Sequence, residues 1–134
     1  MNIAFLIGRI IVGIFYLYNG LNHFLDFKDM VEFAKFKGVP LAEVGVVMSG
    51  LLLLIAGITL ILGYFPEIGV ASLMLFFVPV TFMMHNFWAV PYEQEMVEIV
   101  NFSKNFALMG SALMFLAIKK PWPFSIGKGK KQAS

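Results

Sequence analysis

Cysteine is absent from these 134 residues. No disulfide, Cys-ligated zinc, iron–sulfur cluster or thiol relay can be built from this chain alone. Charge is scarce as well. Asp, Glu, Lys and Arg make up 13% of the residues, against roughly 25% in a soluble domain. Histidine occurs twice. No nucleophile–base pair, phosphate loop or dinucleotide fingerprint can be found, so the chain carries no self-contained catalytic motif. What it has in excess is apolar: 60% of residues are hydrophobic, and the mean hydropathy is +0.84. One small core cannot hide that much apolar surface from water, so the surplus faces lipid. A soluble enzyme, a disordered chain, a collagen-like fibre and a disulfide-stapled secreted domain are excluded.

Four long apolar runs organise the chain, over residues 3–21, 44–65, 68–88 and 99–118. Each is near the ~20 residues a helix needs to cross about 30 Å of hydrocarbon. None alternates as a barrel strand would, and in lipid the backbone must satisfy itself. The pattern predicts an all-α membrane protein. Four transmembrane helices, about 3–22, 44–65, 68–88 and 98–118, form one bundle over residues 1–120. The first run is expected to be retained rather than cleaved, because no small-x-small site follows it. The turn at residues 63–67, with Pro66, makes the second and third helices a hairpin.

Between the first two spans, residues 25–37 read as an amphipathic helix. Phe24, Phe27, Met30, Val31 and Ala34 fall on one side; Lys28, Asp29, Glu32 and Lys35 fall on the other. Such a helix suits the membrane interface, although a linker helix resting on the bundle has the same pattern. Gly38 and Pro40 end it. The third connection, residues 89–97, is acidic. Lys119, Lys120, Lys128, Lys130 and Lys131 cluster at the C-terminus, where residues 121–134 read as a basic tail, irregular from 126 onward. With four spans both termini share a side, and the lysine excess assigns it to the cytoplasm of a multi-pass inner (plasma) membrane protein. The lysines suit anionic headgroups rather than nucleic acid.

Polar residues at membrane depth are costly and therefore informative. Arg9, Gly13, Tyr16, Gly20 and His23 share one stripe of the first helix, which must face the bundle. Glu67 sits at the depth of Arg9 and is expected to pair with it, unless Arg9 snorkels to headgroups. At the opposite end His23, Glu43, His85 and Asn86 meet the start of the fourth helix, where Glu98, Asn101 and Asn105 share a face. Pro79 frees the carbonyl of Leu75 and is expected to kink the third helix. The expected result is a polar cavity opening outward, with His23, His85, Asn86, Glu98, Asn101, Lys104 and Asn105 as candidate ligand-binding residues. Lys104 would reach Glu98 or Glu95, bind an anionic group, or snorkel. A quinone headgroup suits such a cavity: His and Asn can hydrogen-bond its two oxygens, and aromatics can enclose its ring. A metal is not expected, since no His-x-x-x-His or Glu-x-x-His pair is present. Haem is not expected either, since both histidines lie at helix ends. The alternative is purely structural: interhelical hydrogen bonds that fix packing.

The segments Gly8-Arg9-Ile10-Ile11-Val12-Gly13-Ile14-Phe15 and Asn19-Gly20-Leu21-Asn22-His23-Phe24 resemble the first helix of DoxX-like membrane proteins. His85-Asn86-Phe87-Trp88 is similar to the end of that family's third helix. Asn101-Phe102-Ser103-Lys104-Asn105-Phe106-Ala107-Leu108-Met109-Gly110 resembles its fourth. The resemblance singles out Arg9, His23, His85, Asn86, Lys104 and Asn105. It implies a small four-helix subunit linked to quinol oxidases or thiosulfate:quinone oxidoreductases. Such a subunit would work with other membrane subunits or by self-association, with a quinone as its cofactor. The competing expectations are a non-catalytic scaffold and, more remotely, a small-solute transporter built as an oligomer.

Overall fold

The computed structural model describes residues 1–127. Five helices follow in order: α1 (Asn2–Leu25), α2 (Phe27–Phe36), α3 (Ala42–Leu62), α4 (Pro66–Met84) and α5 (Tyr92–Met114). Single 3-10 turns, Phe87–Ala89 and Phe115–Ala117, follow α4 and α5. The segments Asn2–Leu25, Ala42–Leu62, Pro66–Ala89 and Tyr92–Ala117 are long and apolar enough to cross a membrane. The chain is thus an all-helical, multi-pass membrane protein. At ~1.5 Å per residue, each span matches the hydrocarbon thickness.

α1 and α3 make the closest contact, and glycine sets it. The buried residues of α1 are Arg9, Gly13, Tyr16 and Gly20, the stripe expected from its spacing. Gly13 meets Gly57 of α3, and Gly50 of α3 lies against His23 and Phe24. A Cβ on Gly57 would lie 2.8 Å from the Gly13 carbonyl oxygen, and one on Gly20 would lie 3.0 Å from the Leu54 nitrogen. No side chain fits there, so the backbones approach as in other small-residue membrane interfaces. The opposite face of α1, with Ile3, Ile7, Ile11, Ile14 and Tyr18, is exposed to lipid. Tyr16, Leu53, Ala56, Leu60, Leu73, Phe77, Met109 and Trp122 form the main core.

The connections decide where the polar residues go. α3 and α4 are joined by a tight reversal, with Gly63 in the left-handed region (φ 65°) and Pro66 opening α4. α2 ends in a Schellman turn: the Val39 amide donates to the Ala34 carbonyl and the Gly38 amide to Lys35, each at 3.0 Å. Gly38 supplies the positive φ this turn requires (77°). Val31 and Ala34 of α2 pack on Ala42 and Val46 at the start of α3, with Phe27, Met30 and Val39 around them. The helix therefore rests its apolar side on the bundle, while Phe33 and Phe36 stay exposed.

Three of the boundaries that differ from expectation bear on the site. α4 stops at Met84, not near 88, because His85 leaves helical geometry (φ −119°) and a 3-10 turn follows. α5 begins at Tyr92, not near 98: Pro91 fixes its entrance, and Glu93 and Glu95 occupy the positive end of its dipole. The acidic connection is therefore largely helix. The bundle also does not stop at 120. Trp122 is buried and meets Phe5 edge-on at a centroid distance of 5.0 Å. The Ile126 amide donates to the Leu62 carbonyl at 2.9 Å. The expected tail thus starts as a strap across the bundle end; Lys128, Lys130 and Lys131 lie outside the described residues.

Candidate functional site

His23, in the last turn of α1, places Nδ1 2.7 Å from the Asn19 carbonyl oxygen. A carbonyl can only accept, so Nδ1 carries the proton and Nε2 is left untied. His85, released from α4, places Nδ1 2.7 Å from Glu98 Oε2. A carboxylate likewise accepts, and the second ring again keeps Nε2 untied. Both rings are therefore oriented by one nitrogen and available at the other.

Two cavities meet at these rings. The larger, of about 420 Å³, lies between α2 and the outer halves of α3 and α4, named for the α2 end. Its walls include Phe33, Val46, Met48, Leu75, Phe76, Pro79, Met83 and Met84, with Ser49, His23 and His85 as its polar residues. The smaller, of about 130 Å³, lies where α1, α4 and α5 converge. It is lined by Tyr16, Asn19, Lys104, Asn105 and again His23 and His85. The larger volume falls within the ~300–1,000 Å³ of small-ligand sites, which are also mostly apolar with a few placed polar groups.

A buried charge network closes the outer end. Lys37 Nζ lies 3.2 Å from Glu98 Oε1 and 3.4 Å from Asn86 Oδ1. Glu98 thus bridges Lys37 and His85, tying the end of α2 to α4 and α5. The Lys37 and Glu98 side chains are only 7% and 11% exposed. The ammonium also stands over the Phe33 ring, 5.7 Å from its centroid.

The expected site residues divide accordingly. His23 and His85 line both cavities. Lys104 and Asn105 line the smaller one, and Asn105 is buried. Asn86 and Glu98 belong to the network rather than to either lining. Asn101 lines neither cavity; it accepts from Lys104 at 3.3 Å. Lys104 therefore reaches neither Glu98 nor Glu95. Glu43 pairs with Lys35 at the exposed surface, 3.5 Å away.

The expected Arg9–Glu67 pair is not formed. Glu67 takes Lys120 at 2.7 Å, in an exposed pair. Arg9, 1% exposed, donates from Nη2 to the Phe124 carbonyl at 2.8 Å and lies against the Phe5 and Trp122 rings. Glu67 opens α4 on its exposed side, whereas the Arg9 stripe faces inward beneath the strap. Equal depth did not mean equal side.

Lys37 is the participant the sequence reading did not select. Its signal was its place one residue before the helix-ending Gly38, but nothing in the chain around it indicates a partner 61 residues away. Tyr16 Oη and Thr81 Oγ1 are buried without a hydrogen-bond partner among the described residues, and Tyr16 lines the smaller cavity. Among the described residues no three of His, Asp and Glu cluster as metal ligands would.

The family model described as DoxX matches residues 4–86, a segment that runs from α1 to just past His85 and leaves α5 outside. No curated protein and no solved structure matches the chain.

Proposed function

The chain belongs to the DoxX family, and on that premise we propose that it is a ligand-binding membrane subunit of a redox assembly, with a quinone-type ring held beside His23 and His85. One observation carries the reading. Two imidazoles, each tied back through Nδ1, share the boundary of an apolar cavity of about 420 Å³ and a polar one of about 130 Å³. A flat ring with two oxygens asks for that combination: Phe and Met walls for its faces, and untied Nε2 atoms for its oxygens. His85 has Glu98 behind it, which fixes the orientation of the ring. The bound ring would supply electron transfer. With no cysteine in the chain to hold an iron–sulfur cluster, a catalytic partner subunit would receive or deliver the electrons.

The same reading orients the protein in the plasma membrane. Both termini and the Lys119–Lys120 pair lie cytoplasmic. The α2 end then faces outward, with α2 in the interface, its exposed Phe33 and Phe36 in lipid and its charged residues toward water.

A second reading is favoured by the charge network itself. Lys37, Glu98, His85 and Asn86 satisfy one another, as a scaffold that only fixes α2 and α5 would require. One experiment separates the two. The protein in nanodiscs is titrated with a tailless benzoquinone while ring binding is followed by calorimetry. Thermal unfolding is recorded in parallel for His23→Ala and His85→Ala. Weakened binding in both variants supports the ligand site. Lost stability in His85→Ala, with no quinone bound by any form, establishes the scaffold.

A further inference from the structure

The larger cavity sits beneath α2. Above it, Lys37 and Glu98 are paired and nearly buried, and α2 lies across the outer end. The sides are different. α3 and α4 are tight at their turn, where Gly69 lies against Thr59. Farther out the cavity separates them, lined by residues 42–52 of α3 and 75–84 of α4. Ten residues of helix reach ~15 Å, about half the hydrocarbon depth. Of the residues lining the cavity, Phe33, Met48 and Leu75 are 47%, 50% and 65% exposed. In a membrane-spanning chain, apolar side chains exposed at that depth face acyl chains. The opening is thus apolar and lateral, while the polar groups, His23, His85 and Ser49, are inside.

We propose that this cavity is a lateral port for a lipid-borne ligand. The ligand's small polar head rests at His23 and His85, and its long apolar chain leaves between α3 and α4 past Met48 and Leu75 into the bilayer. The proposal deepens the reading of the two histidines as a head-group site and rests on it for the identity of the head. It adds the ligand class, an isoprenoid or similarly tailed molecule, and the route by which it arrives. A water-soluble ligand of the same head would arrive from the end where α2 and the Lys37–Glu98 pair lie. A tailed one never leaves lipid.

The absence of cysteine makes the route measurable. Ser49→Cys places one thiol inside the cavity at nearly unchanged volume. The variant in phospholipid vesicles is treated with an uncharged lipophilic maleimide or a permanently charged, membrane-impermeant thiosulfonate. Labelling is read by intact mass and normalised to labelling in SDS. The lipophilic reagent is expected to react, with the charged one on the order of 100-fold slower, the penalty for carrying a charge to membrane depth. Leu75→Trp or, should that variant not fold, Met48→Trp fills the opening and is expected to slow lipophilic labelling. Equal rates for both reagents, labelling by neither, or no effect of a filled opening in a folded variant overturns the port. Protection of the thiol by a long-tailed quinone, and not by a saturated phospholipid, is expected. If lateral labelling holds but the quinone gives no protection, the quinone head-group reading fails while the port stands.

Discussion

The Lys37–Glu98 contact offers the most direct measurement of how the outer end is held. The two charges are 3.2 Å apart with both side chains about nine-tenths buried. At an effective dielectric constant of ~20, their attraction is about 5 kcal/mol. Desolvation of both groups offsets most of that, so the pair's net contribution is small. The informative quantity is the cost of removing one partner. Glu98→Gln leaves the Lys37 ammonium buried against a neutral amide and weakens the His85 tie, and should cost about 3 kcal/mol. Lys37→Met leaves Glu98 held by His85 and should cost about 1.5–2 kcal/mol, the lower part of the range for a hydrogen bond to a charged group. The double variant removes both charges together. It should be less destabilised than the sum of the two by about 1–2 kcal/mol. Reversible unfolding in mixed micelles of rising SDS fraction gives all four free energies. Single-variant costs that add to within about 0.5 kcal/mol would refute the coupling, and with it the claim that Lys37 pins α2 to α5.

Other positions test other parts of the argument. Gly57→Ala sets a Cβ 2.8 Å from the Gly13 carbonyl and should cost about 1–3 kcal/mol in the same unfolding assay. Gly110→Ala meets nothing within 4 Å and should be neutral or stabilising by up to ~1 kcal/mol; equal costs at the two positions would contradict the close α1–α3 approach. Arg9→Met removes the donor to the Phe124 carbonyl, so limited chymotrypsin should cut at Trp122 or Phe124 faster than in the parent. An unchanged cleavage rate would show that the strap is held by its apolar contacts alone. Tyr16→Phe deletes a buried hydroxyl with no hydrogen-bond partner among the described residues and should leave stability unchanged or raise it by about 1 kcal/mol. A clear loss would mean that the hydroxyl bonds to something in the smaller cavity.

Much of this protein was written in one-dimensional pattern. Composition alone required lipid, and run length alone required four spans, because an isolated backbone in hydrocarbon must be helical and about 20 residues long. The Arg9–Gly13–Tyr16–Gly20 stripe was legible for the same reason: helical period places those residues on one face, and lipid cannot solvate Arg or the close approach that glycine permits. The convergence of His23, His85 and Asn105 near one end followed from antiparallel parity. Helix ends were less legible at residues 84–98, where a proline and two glutamates in a nominal loop extended α5 instead.

Only the tertiary structure could decide the pairings. Sequence depth placed Arg9 and Glu67 at one level, but which side of its helix each occupies depends on how α1, α4 and the strap rotate against one another. Arg9 thus took a backbone carbonyl and two aromatic rings, and Glu67 took Lys120. The role of Lys37 was equally hidden, because a charge beside a helix end is ordinarily solvated, and only the folding of α2 onto α3 carries it to Glu98. The cavities belong to the same category: a void is what packing leaves over between helices, and no property of a single helix specifies it.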